Sequence, residues 1–187
     1  MKRVFIVFML TFSLLLTGSS SNSPEKKIQS YIKKLASAPD YETLGSIASK
    51  ISFEFELQAL PFLVEGIKNE NIKIKCGSYI ALDEIIYREV GRLLGIYKVP
   101  FKELDFNLVP EDIRDTLKEI YEIAVKDATQ SLHPQVRAEA IYLLALFGGD
   151  KVVNILKQAL NDSDIHVRYM AVYRLHLLGY KEYSFFK

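Results

Sequence analysis

Tryptophan is absent from this chain of 187 residues, there is one cysteine, Cys76, and the three histidines are His133, His166 and His176. A lone thiol excludes an intramolecular disulfide and any multi-cysteine metal site within the chain. Cys76 reads as a small helical residue, because no histidine or basic cluster adjoins it to favour a thiolate. The histidines form no H-E-x-x-H pair and read as residues at solvated helix starts, so no metal is expected. A G-x-S-x-G turn, a phosphate-binding glycine loop and a G-x-G-x-x-G fingerprint are also missing. The sequence therefore offers no catalytic residue and no cofactor site, and a non-enzymatic role is expected. Nor does charge of one sign dominate: 24 basic side chains face 23 acidic ones, a formal net charge of +1. That balance gives no electrostatic preference for nucleic acid or anionic lipid.

Apolar runs are short. Val4 to Leu16 is apolar except for Thr11 and Ser13, and its 13 residues fall below the roughly 20 needed to cross a bilayer. Met1-Lys2-Arg3 precedes it and the small polar segment Thr17 to Ser21 follows, which is the layout of a secretory signal peptide. A signal peptide over 1–19, cleaved near 19–21, is expected, and with it an exported chain, whether periplasmic, in the cell envelope or secreted. The rival reading is an uncleaved N-terminal anchor. Leu15 to Ser19 resembles a bacterial lipoprotein processing site with serine in place of the lipidated cysteine, so no thioether-linked lipid is possible there. Removing Lys2 and Arg3 leaves 24 − 2 = 22 basic against 23 acidic residues, a charge of −1.

What the sequence does have is helical periodicity. Beyond a Ser-rich spacer at 20–24, apolar residues recur at steps of three and four between short polar breaks. The domain 25–187 reads as all-α, with helix pairs at about 25–51, 57–94, 110–147 and 151–178. Asp40 is placed to cap the second helix. Ile51 to Leu57 alternates apolar and polar residues but has no partner strand, so it reads as a turn into the third helix. Pro61 fits only in that helix's first turn. The fourth helix, 72–94, is longer than its neighbours, and 95–109 reads as a long loop or insertion.

Two stretches nearly repeat: VRAEAIYLLALFG at 136–148 and VRYMAVYRLHLLG at 167–179, offset by 31 residues. A third copy begins at Ile74, twice that offset before Val136, with Lys75, Ser78 and Leu82 in the places of Arg137, Ala140 and Leu144. Helix pairs repeating at a fixed period build an α-solenoid, each pair burying its apolar face on the next. On the last helix Val167, Ala171, Leu175 and Leu178 share one face. Arg137 and Arg168 begin their helices, where a guanidinium can bridge groups in the turns of adjacent repeats. The run from Leu156 to Gly179, with its Leu, Asp, Val-Arg, Ala, Leu and Gly landmarks, resembles the short HEAT-like repeat of the phycobilisome-lyase type. The resemblance is good over 133–179, fair over 57–86 and weak over 25–51 and 96–128. Ankyrin and tetratricopeptide signatures are absent. The resemblance implies a scaffold only: the His-Glu dipeptides through which the related deoxyhypusine hydroxylases bind iron do not occur here.

In solenoids of this kind the second helix of each pair tends to line the concave surface. Helical geometry then places Ala138, Tyr142 and Ala145, Tyr169, Tyr173 and His176, and Cys76, Ile80 and Asp83 on that side. Tyr142, Tyr169, Tyr173 and His176 are the candidate site for a protein or peptide partner, since they offer apolar area with polar tips. Other charged groups read as structural. Asp83, Glu84 and Glu89 look like a solvated helix face, as do Lys26, Lys27, Lys33 and Lys34. Arg88 and Arg92 pair with nearby carboxylates more simply than they grip an anion. Arg174, in the place of Leu143, reads as the mark of a final repeat with nothing packed beyond it, and the tail 180–187 as folding back over that end. Two alternatives stay open: an assembly factor acting through its ends or the 95–109 loop, and a metal- or cofactor-dependent enzyme on the same scaffold.

Overall fold

The computed structural model describes residues 23–94 and 103–183. The expected signal peptide, most of the Ser-rich spacer, residues 95–102 of the expected loop and the end of the tail lie outside the described residues. Among the described residues no helix is long and apolar enough to cross a membrane.

Four of the helices start at a side chain that accepts from free backbone N–H groups of the first turn. Ser23 caps α1 (Pro24–Ala36), with Pro24 in its first turn. The Asp40 carboxylate accepts from Thr43 N at 2.7 Å to cap α2 (Tyr41–Phe55). A 3₁₀ turn, Glu56–Ala59, leads into α3 (Leu60–Lys68), whose first turn holds Pro61. Asn71 caps α4 (Ile72–Ile85), which runs on through a π-helical turn at Ile86–Val90 to Leu93. Then follow α5 (Glu111–Gln130), α6 (Pro134–Leu144), α7 (Gly149–Ala159) and α8 (Ile165–Leu177), the last capped by Asp164.

The alternating stretch after Ile51 is not a turn: α2 continues to Phe55. Leu44, Ala48, Ile51 and Phe55 are all buried and spaced at helical steps, so the core face outweighs the local alternation. The chain reverses four residues later than expected, and Glu56, at φ 48°, takes the left-handed backbone that ends the helix. Nor are residues 103–109 a free loop. Glu103 forms an antiparallel bridge with Gly148, and Leu104 N donates to Phe147 O at 2.7 Å. Phe106 packs with Tyr121 and Phe147, and Val109 is buried, so this segment belongs to the third repeat's core.

First helices (α1, α3, α5, α7) pack in sequence as one layer and second helices (α2, α4, α6, α8) as another. This all-α, two-layer stack is the solenoid that the 31-residue period implies. The periodic residues form one continuous core, with Ile28, Leu63, Leu82, Ile120, Val136, Leu156 and Val167 all at or near zero exposure. Basic residues at the second-helix starts tie successive repeats together. Lys75 reaches Asp127 at 3.1 Å, and Arg137 grips both oxygens of Asp162 at 2.7 and 2.8 Å. Arg168, by contrast, donates to the Asp162 and Ser163 carbonyls in the turn of its own helix pair. At the C-terminal end Tyr180 and Tyr183 fold back beneath the Lys157 ammonium on α7, as far as the described residues go.

One contact in the stack depends on glycine. A Cβ at Gly66 on α3 would lie 2.0 Å from Ser78 Oγ and 2.9 Å from Ser78 Cβ on α4, so the two helices approach this closely only without it. Gly66→Ala is expected to lower unfolding free energy by about 1–3 kcal/mol through overpacking, read by urea denaturation. An unchanged midpoint would show that α3 and α4 do not meet at this contact.

Candidate functional site

The second-helix layer carries contacts that skip a whole repeat. Tyr41, at the start of α2, donates its hydroxyl proton to Glu139 of α6. Arg174 of α8 reaches Asp83 of α4, Nη2 to Oδ1, at 2.8 Å. Both contacts lie within the second-helix layer, between helices two apart in the stack. On the opposite layer the starts of α1 and α5 stay apart and leave a groove of about 510 Å³ beside Ile28, Leu60 and Ile113.

These contacts correct the reading of Arg174. It is not an exposed mark of the terminal repeat but is 4% exposed, its guanidinium lying 3.3 Å from the centre of the Tyr142 ring. The position faces inward, and Asp83 supplies the countercharge that makes burial of a cation tolerable. The expected solvated carboxylate face of α4 is likewise absent. Asp83 binds Arg174, Glu84 accepts from Ser49 and Ser52 of α2, and Glu89 is 3% exposed between Arg88 and Arg92, each at 2.7 Å. Arg88 and Arg92 are thus held by a carboxylate of their own helix. Lys27 pairs with Glu54 at the surface, and the other lysines of α1 are exposed.

Of the residues expected on the concave side, the structure brings Tyr142 and Tyr173 together, their rings nearly parallel at 4° and 6.4 Å apart. Tyr173 and Tyr169 are 41% and 51% exposed, and His176 is exposed on the same arc of α8. Ala138, Ala145 and Cys76 are buried between helices instead, and Ile80 and Asp83 are only partly exposed. Burial pushes the Cys76 thiol up to about 12, with the Glu139 charge adding to it, so it is an inert packing residue. His133 and His166 are exposed at the starts of α6 and α8. Among the described residues no group of three or more His, Cys, Asp or Glu side chains is placed to hold a metal ion.

Sequence reasoning did not single out Tyr41 and Glu139, which border a cavity of about 290 Å³ together with Pro134, Gln135, Ala138, Asp164, His166 and Met170. Glu139 lies three residues after a recognised landmark, Val136, but its partner is 98 positions away, so no local pattern joins the two.

Both inner carboxylates resist ionisation. Burial raises Glu139 to about 7, against the opposing pull of the Tyr41 hydrogen bond and Arg174. Burial also raises Asp83 to about 7; Arg174 opposes the rise, while Glu139 and Glu84 add to it. An acid whose folded pKa lies above its unfolded value binds more protons when folded, so its contribution to stability falls as pH rises through the interval. For Glu139 that interval runs from 4.5 to about 7. Thermal unfolding is therefore expected to show a shallower loss of stability across this window for Glu139→Gln than for the unaltered protein. Equal slopes would mean that Glu139 is ionised throughout.

The sequence profile of the HEAT repeats family matches residues 123–184, which run from the second half of α5 to just beyond α8. No curated protein and no solved structure matches the chain significantly. HEAT repeats commonly mediate protein–protein interaction and are generally non-enzymatic scaffolds. The repeated helix pairs and their two layers agree with this match, which covers less than half of the chain: residues 123–184 are similar to HEAT repeats.

Proposed function

We propose that the protein is an exported, non-enzymatic scaffold that binds a protein or peptide partner through its inner face around Tyr142, Tyr169, Tyr173 and His176. The observation that carries this reading is the stacked pair Tyr142 and Tyr173, continued along α8 by exposed aromatic and imidazole side chains. Tyrosine combines large contact area with low conformational entropy and a polar tip, which suits it to recognition. Toward α2 and α4 the second-helix layer is crossed by its own polar contacts, and the exposed aromatic side chains lie at the α6–α8 end. Export rests on the signal-like segment 1–19. The absence of catalytic motifs and the family's usual role support a binding function over an enzymatic one.

The test is affinity capture from a cell-envelope extract. The full chain is expected to recover a specific partner, and Tyr169→Ala/Tyr173→Ala to reduce recovery at least about tenfold, the loss of a binding hot spot. These two side chains are chosen because Tyr142 also packs on Arg174. Undiminished recovery by the double variant would remove the site assignment.

A further inference from the structure

The cavity beside Glu139 carries its own chemistry, independent of the tyrosine stack. Its volume, about 290 Å³, lies just below the usual range of roughly 300–1,000 Å³ for sites that enclose a whole small molecule. It is the size for one long side chain. Its walls are the Tyr41 ring, Pro134, Ala138 and Met170, with Asp164 and His166 at the α8 start. Glu139 lines the cavity while being only 9% exposed.

Glu139 has acceptor capacity left over. Among the described residues its one hydrogen-bond donor is the Tyr41 hydroxyl, on Oε1, and no lysine or arginine is paired with it. The nearest cation, Arg174, is committed to Asp83. The groups around it are Tyr41 from α2, Cys76 and Asp83 from α4, Tyr142 on its own helix, and Arg174 and His166 from α8. Burial raises Glu139 to about 7, and a cation beside it would favour the charged form that burial alone disfavours. Asp164 adds negative charge nearby, though one of its oxygens already caps α8.

We infer that this cavity is a subsite for a single lysine or arginine side chain of the bound peptide. The ammonium or guanidinium head pairs with Glu139, and the aliphatic stem lies between Tyr41 and Met170. The Tyr41 ring can also meet the cation through its π face. This rests on the peptide-binding reading above and names the residue chemistry that the site selects. A neutral side chain of equal length would leave Glu139 unpaired, so selectivity follows from the carboxylate rather than from the cavity's shape.

The probe is a synthetic peptide library of uncharged residues with one fixed central position: lysine, arginine, acetyl-lysine, citrulline or norleucine. It is applied to the full chain and to Glu139→Gln, whose amide oxygen can still accept from Tyr41; circular dichroism verifies that the variant folds. Lysine and arginine pools are expected to be retained about tenfold over their neutral counterparts, equal to roughly 1.4 kcal/mol, and Glu139→Gln to abolish that preference. A preference that survives in Glu139→Gln overturns the subsite. Retention without charge preference, yet lost in Tyr169→Ala/Tyr173→Ala, overturns the subsite and leaves the inner-face reading standing. If no pool is retained, both fall.

Discussion

The buried pair Arg174–Asp83 is the constraint on which the inner layer depends. A guanidinium that is 4% exposed cannot be left without a countercharge, so α8 must hold a fixed position relative to α4, across α6. The Tyr142 ring covers the cation and in turn stacks on Tyr173, which carries the buried contact out to the surface. One repeat earlier, Tyr41 and Glu139 span α2 to α6 in the same way. Both contacts link alternate second helices. Hydrophobic burial builds the layers, whereas these polar contacts decide how the layers sit.

The outer ladder works differently. Lys75–Asp127 and Arg137–Asp162 connect neighbouring helix pairs at their turns, partly exposed, and repeat with the sequence period. They fix the step between adjacent repeats. Function is therefore expected where periodic requirements are relaxed: at Tyr169 and His176, which replace Ala138 and Ala145 at the repeat offset, and in the cavity beneath Tyr41.

Much of the fold was legible in the sequence because each repeat restates the same demands. Val, Ala and Leu at constant spacing, Asp40 as a cap and Pro61 in a first turn are local signals, and the helices stand where those signals place them. The end of α2 was not legible, because a period-two pattern from Ile51 to Leu57 competes with a helical one that only tertiary burial decides. Arg174 misled for the opposite reason. An arginine where a leucine is expected suggests exposure, and only the distant Asp83 reveals why it is buried. The same holds for Glu139 and Tyr41: helical periodicity gives the direction a side chain points within its own repeat, but not what a helix two repeats away brings to meet it.

The most direct test of this account is a double-mutant cycle on Arg174 and Asp83, using Arg174→Met and Asp83→Leu and equilibrium unfolding. At a pH above about 7, where Asp83 carries its charge, each single variant removes one partner of the pair and is expected to cost about 3–5 kcal/mol, while the double variant, which leaves neither charge behind, should cost far less than their sum. Losses that add to within about 0.5 kcal/mol would contradict the claim that this pair holds the inner layer together.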